Sequence, residues 1–200
     1  MAEKRRYELR RRAERQDETR RRIVEATVAL HQEVGPARTT ISAIARRAGV
    51  QRLTVYRHFP EERDLLAACQ QHFLASHPIP DPTPWSRIDD PAARLRLALE
   101  ALYAYYRATE AMTAHVMRDA PLLPALGELL EELPRYFAAA RGLLARGWNV
   151  GGADRDLVEA AIGHALEFET WRSLTRRQGL TDGQAAALMT RLVACLAPPG

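Results

Sequence analysis

Apolar residues recur at helical spacing along most of the chain, and polar, Pro and Gly positions divide them into segments. The sharpest segment is Thr39 to Leu66, TTISAIARRAGVQRLTVYRHFPEERDLL. Ile41, Ile44, Ala45 and Ala48 fall three and four residues apart, which predicts one buried face of a short helix. Thr39 or Thr40 can cap its start through a hydroxyl. Gly49 suits the left-handed backbone that ends a helix, and Val50 follows as an apolar plug. A second helix is predicted from near Gln51 to Phe59, with Val55 and Phe59 inward. Pro60, which lacks a donor and disfavours helical geometry at Phe59, stops it.

The same reading extends in both directions. Ile23, Ala26, Thr27 and Leu30 predict a bracing helix over 19–34, and Leu65, Leu66, Cys69, Phe73 and Leu74 another from about Glu61 towards His77. Residues 1–22 hold ten basic side chains against five acidic and almost nothing apolar, so residues 1–18 are expected to be a basic flexible arm. Residues 77–91, HPIPDPTPWSRIDDP, hold five prolines and mark a connection, with Trp85 docking on the domain that follows. Asp90 and Pro91 then open a helical remainder. Its expected helices carry Leu95 to Tyr106, Met112 to Asp119, about 122–148 with a kink at Pro134, 155–178, and 182–196 stopped by Pro198 and Pro199. Period-two strands and internal repeats are absent from the pattern, so the fold class is all-α. The domains expected are the arm, a domain over 19–76, the Pro-rich connection 77–90 and a helical domain over 91–200.

Helix, Gly turn, and a second helix with Gln, Arg, Thr, Tyr, Arg and His outward make a helix-turn-helix, whose second helix is shaped for a major groove. Such side chains suit phosphate contacts and hydrogen bonds to base edges. The DNA-contacting candidates are Thr39, Thr40, Gln51, Arg52, Leu53, Thr54, Tyr56, Arg57 and His58, with Arg63 beyond the proline. Charge agrees: residues 1–76 carry 16 Lys+Arg against 10 Asp+Glu, while the whole 200-residue chain is only +4.

Residues 22–66 resemble the DNA-binding domain of the tetracycline repressor (TetR) family. The resemblance rests on Ile23, Ala26 and Gly35, then Thr39-Thr40-Ile41, Ile44-Ala45, Ala48-Gly49-Val50, and Thr54-Val55-Tyr56 with Phe59-Pro60. It implies a three-helix helix-turn-helix domain followed by a helical ligand-binding and dimerisation domain. Two departures stand out. His31 takes a place where the family favours an aromatic, and is expected to be a partly buried packing residue whose protonation would loosen the domain. Glu62 stands where the family commonly has Lys, so Arg63 or the arm is expected to supply the missing positive contact. Gln51 and Leu53 also differ from the usual residues, so the operator cannot be inferred from a relative.

The helices over 155–178 and 182–196 each carry two apolar stripes: Leu157, Ala161, His164, Phe168 and Trp171 beside Val158, Ile162, Ala165 and Leu166, and Leu188, Leu192 and Leu196 beside Met189 and Val193. One stripe suffices for one buried side, so the second predicts a homodimer through the last two helices. Two heads would then read a palindrome. By the resemblance, a cavity in the second domain takes a small hydrophobic effector. Candidate lining residues are Tyr103, Tyr106, Met112, His115, Phe137, Trp148, His164, Phe168 and Trp171, with His115 and His164 as polar anchors. Effector binding is expected to shift the heads to a spacing that releases DNA.

An enzyme would need a nucleophile with its base, a paired carboxylate site, a metal cluster or a phosphate-binding Gly loop, and the sequence displays none. Cys69 and His72 lack further partners at ligand spacing, so packing is expected there, and no metal or cofactor. The two cysteines read as free thiols, and the lack of a long apolar run or signal sequence points to the cytoplasm with no membrane partner. The alternatives kept are a regulator controlled by a protein partner or by nothing, and a largely non-specific DNA-binding protein.

Overall fold

The computed structural model describes residues 2–197, with side chains from Arg5 onward. The expectation for Pro198 and Pro199 lies outside the described residues. Among these residues the chain is helical and without strands. No described helix is long and apolar enough to cross a membrane. The chain divides into two compact units, one of Met1–His77 with Glu110–Leu129 and one of Pro78–Thr109 with Leu130–Gly200.

In the first unit, α1 (Ala2–Glu33), α2 (Ile41–Ala48), α3 (Arg52–His58) and α4 (Glu62–Ser76) surround one core. Ile23, Val24, Ala26 and Leu30 meet Ile44, Ala45, Ala48, Val55, Phe59 and Leu65, the inward positions of the helical pattern. The Thr40 hydroxyl accepts the Ala43 N–H at 3.1 Å, a cap typically worth about 1 kcal/mol. Gly49, at φ 65° and ψ 40°, ends α2, and the Val50 N–H returns to the Ala45 carbonyl at 2.9 Å.

One expectation changes here. The arm expected to be flexible over residues 1–18 is helical from Ala2 and continuous with α1. Its side chains from Arg5 to Glu18 are exposed, so packing does not hold it. It is rich in Arg and Glu, both good helix formers, and Arg10 pairs with Glu14 at 3.0 Å across one turn.

The helix α5 (Pro91–Asp119) merges the two helices expected over 91–119. The Thr109 hydroxyl donates to the carbonyl of Tyr105 at 2.8 Å, one turn back, so this β-branched residue sits without interrupting the helix. The segment from Glu110 through α6 (Pro124–Leu129) belongs to the first unit, so residues 91–200 are not one contiguous domain. Gln70 of α4 donates its side-chain amide to the Leu129 carbonyl at 3.1 Å.

The second unit contains buried Trp85, the first part of α5, α7 (Glu132–Leu144), α8 (Ala153–Leu166), α9 (Phe168–Arg172) and α10 (Asp182–Cys195). The single helix expected over 122–148 is divided, and Pro134 falls in the first turn of α7, where a missing N–H costs nothing, instead of kinking a longer helix. The helix expected over 155–178 breaks at Glu167 (φ −70°, ψ 139°) and relaxes into a π turn over Ser173–Arg177. That break frees the carbonyls of Ala165 and Leu166. They accept the hydroxyls of Tyr103 at 2.8 Å and Tyr106 at 2.6 Å.

Candidate nucleic-acid interface

Buried Val55 and Phe59 fix the inner side of α3, and this leaves its outer side to solvent. Gln51, Arg52, Leu53, Tyr56 and Arg57 are exposed, while Thr54 and His58 are half-buried. Leu53 is 74 % exposed, a large apolar residue offered to solvent beside Arg52. Gln51 takes the helix N-cap position without spending its side chain on a capping bond. Arg52 and Arg57 have no ion pair among the described residues, so two uncompensated charges stand on the face that carries the amide and the phenol. Burial, then the positive charges of Arg57 and Arg20, lower the pKa of His58 and keep its ring neutral near pH 7.

Other candidates are more constrained. The Thr39 hydroxyl donates to the Gly35 carbonyl at 2.8 Å, and Thr40 is committed to its cap. Arg63 pairs with Glu128 at 3.2 Å, with both side chains more than half exposed. Such an exposed pair is weak and can be exchanged for another anion.

Several supporting residues were not legible in the sequence. Arg20 donates to the His58 carbonyl at 2.9 Å, and its guanidinium lies 4.0 Å above the Phe59 ring, so α1 holds the end of α3. Arg22 donates to the carbonyls of Ala48 and Gly49 and so closes the end of α2. Arg47 forms a two-pronged bond with Glu33 at 2.6 and 2.7 Å. The far end of α5 grips the segment after α1: His115 Nδ1 lies 3.0 Å from the His31 carbonyl, Arg118 donates to the Val34 carbonyl at 3.0 Å, and Asp119 accepts the Ala37 N–H at 3.0 Å. The Arg118 guanidinium holds the Asp119 carboxyl below its ordinary pKa. These partners are 14 to 84 residues apart, beyond any local pattern.

His31 is buried among the core residues, as a packing residue would be, and its Nδ1 lies 3.8 Å from Cys69 Sγ. Cys69 thus faces His31, while His72 is exposed. Burial lowers the His31 pKa to about 4, opposed by the charge of Asp119, and pushes the Cys69 thiol up to about 12.

The effector candidates separate. Tyr106, Phe168 and Trp171 form a buried triangle with ring centroids 5.4 to 5.9 Å apart, and Tyr103 adjoins Tyr106 at 6.4 Å. Phe137 packs edge-on against Tyr136 at 5.2 Å, and the Trp148 indole caps the Leu144 carbonyl at 3.0 Å. His164 is exposed, 3.5 Å from Glu167 and 3.3 Å from the Thr170 hydroxyl, and is no part of the buried aromatic triangle. Met112 and His115 belong to the first unit, and His115 Nδ1 faces the His31 carbonyl.

Known proteins match the helix-turn-helix part of the first unit. Residues 23–69 match the bacterial regulatory proteins of the tetR family. The chain carries the TetR-family DNA-binding domain. Uncharacterized HTH-type transcriptional regulators of Mycobacterium tuberculosis and Mycobacterium bovis are 43 % identical to it over 56 residues, which span 28 % of this chain and 28 % of each relative. Solved structures share the TetR-type fold over most of the chain. A TetR-like transcriptional regulator from Rhodococcus sp. RHA1 has a TM-score of 0.65 at 20 % identity, covering 88 % of this chain and 93 % of that one. FadR from Bacillus subtilis, solved with stearoyl-CoA, has a TM-score of 0.58 at 20 % identity, covering 88 % and 96 %.

Proposed function

We propose that the protein is a sequence-specific transcriptional repressor that binds a palindromic operator as a homodimer and is released by a small, largely apolar effector. The observation that carries this reading is α3: a TetR-type helix, fixed from behind by Val55 and Phe59, with Gln51, Arg52, Leu53, Tyr56 and Arg57 outward and no acidic residue among them. The amide and guanidinium groups are suited to base edges, the phenol to a phosphate, and exposed Leu53 to a thymine methyl.

Dimerisation is supported by leucines left open on the last helices. Leu157 on α8 is 54 % exposed, Leu188 and Leu192 on α10 are 37 and 51 % exposed and Leu196 at its end 37 %, while Val158, Ile162, Ala165 and Leu166 on α8 and Met189 and Val193 on α10 are buried. A second copy covering these leucines would give two α3 helices on one duplex. The effector is assigned to the cluster of Tyr103, Tyr106, Phe168 and Trp171, beside the break at Glu167. Helix α5 carries Tyr103 and Tyr106 in one unit and His115, Arg118 and Asp119 in the other, so it is the element through which occupancy would act.

The test is selection of genomic fragments by the purified protein at near-physiological salt, followed by a gel shift against excess random DNA. A palindrome retained under competition is the expected result. Binding abolished by competitor, with no motif enriched, would overturn the proposal. Acyl-CoA thioesters and aromatic acids, titrated into the bound complex, then test release.

A further inference from the structure

Resting on the reading of α3 as the DNA-contacting helix, a second feature of the first unit acquires a role. Helix α1 is 32 residues long, but its core contacts begin only at Ile23. Arg20 joins it to the carboxyl end of α3 through the His58 carbonyl and the Phe59 ring. At its other end Glu33 meets Arg47. The residues before Arg20 therefore leave the core beside the carboxyl end of α3, as a helix with every side chain from Arg5 to Glu18 in solvent.

Charge is not spread evenly around this projection. At 3.6 residues per turn, Arg5, Arg6, Leu9, Arg12, Gln16 and Arg20 share a sector about 120° wide that excludes Glu8, Glu14, Asp17 and Glu18. Arg10 and Arg21, outside the sector, are neutralised by Glu14 and by Glu18 and Glu25, and Arg11 lies over the Tyr7 ring. Arg5, Arg6 and Arg12 have no ion pair among the described residues. A merely solubilising helix has no reason to keep its acids off the one face that continues to α3 through Arg20.

We propose that this face of α1 is a second DNA contact, lying along the phosphates that flank each half-site and setting affinity without selecting sequence. The exposed stretch from Arg5 to Glu18 is about 20 Å long, enough to follow roughly six base pairs beyond the α3 site. Guanidinium groups there replace condensed counterions, so their contribution depends on salt and not on base identity.

Fluorescence anisotropy with the full-length protein, an operator duplex and a random duplex across a salt series tests this. An Arg5→Ala, Arg6→Ala, Arg12→Ala triple variant keeps helix propensity and removes the face. Its expected loss is about 10- to 100-fold for both duplexes near physiological salt, with a log–log salt slope shallower by about 3 and an unchanged preference for operator. An Arg10→Ala, Arg11→Ala, Arg15→Ala variant removes the same charge from other faces and should change the slope by less than about 1. Trimming the operator flanks should bring wild type and the first variant together. Equal effects of the two variants, an unchanged slope in the first, or a difference that survives trimming would each overturn the proposal. If wild type shows no operator preference, the reading of α3 fails, while the slopes on random DNA still decide the role of α1.

Discussion

The carboxylate of Asp119 accepts a 3.0 Å hydrogen bond from the main-chain N–H of Ala37, 82 residues earlier in the chain. Together with Arg118 it packs so closely on Gly35 (φ 94°) that a Cβ there would collide with both side chains. Asp119→Ala should cost about 1.5–3 kcal/mol, the usual worth of a hydrogen bond to a charged group. Urea unfolding should show a lower midpoint at unchanged m, with Asp119→Asn losing less because it keeps an acceptor oxygen. Equal stability of Asp119→Ala and wild type would refute this role.

His31 makes the first unit acid-sensitive. Its folded pKa of about 4 lies below the ordinary 6.5, so the unfolded chain binds the extra proton first. The stability conferred by the neutral ring is complete above pH 6.5 and is lost as pH falls towards 4, by roughly 3 kcal/mol at 1.36 kcal/mol per pKa unit. In His31→Phe this component should vanish, and the pH dependence of the unfolding midpoint between 6.5 and 4 should flatten. A profile identical to wild type would mean the titration lies elsewhere.

The tyrosine hydroxyls at the Glu167 break act as substitutes for main-chain donors. Tyr103→Phe and Tyr106→Phe should each destabilise by about 1–3 kcal/mol, the cost of leaving a buried acceptor unpaired, although the ring volume is kept. Thermal unfolding of the two single variants and the double variant measures this. No change in either would show that water takes the hydroxyl's place.

Arg52→Ala should weaken operator binding by about 1–3 kcal/mol and leave stability within about 0.5 kcal/mol, because the residue is exposed. Val55→Ala should do the reverse at the level of cause, weakening DNA binding only as the fold weakens. Measuring affinity and stability on the same preparations separates the two.

Leu192→Glu places a charge in the open stripe of α10, which is proposed to meet a second copy. Sedimentation at micromolar concentration should find a monomer with intact helical content. A dimer of wild-type strength would place the subunit contact elsewhere.

What the sequence disclosed followed how local the cause was. The α2 cap, the Gly49 turn, the stop at Phe59-Pro60 and the inward faces of α1 to α4 depend on neighbours within one or two turns, and they lie where the pattern predicts. The break at Glu167 could not be foreseen, because its stabilising partners, Tyr103 and Tyr106, are about 60 residues away. The same is true of the bracket that α5 forms on Val34 and Ala37. His164 and His115 looked alike as polar groups on apolar faces, yet one is in solvent and the other bonds the His31 carbonyl. Periodicity reports that a face is buried, not against what.

The continuity of α1 has a thermodynamic consequence of its own. One uninterrupted run of main-chain hydrogen bonds passes from a stretch with no tertiary support into one whose side chains fill a core. From Ile23 onward, opening an amide requires disrupting that core. Before it, only intrinsic propensity and a few charge pairs resist fraying, so opening should approach zero cost towards the amino end. Hydrogen exchange should therefore rise smoothly along a single helix, and bound polyanion would register as protection of its outer turns, with those of the core left as they were.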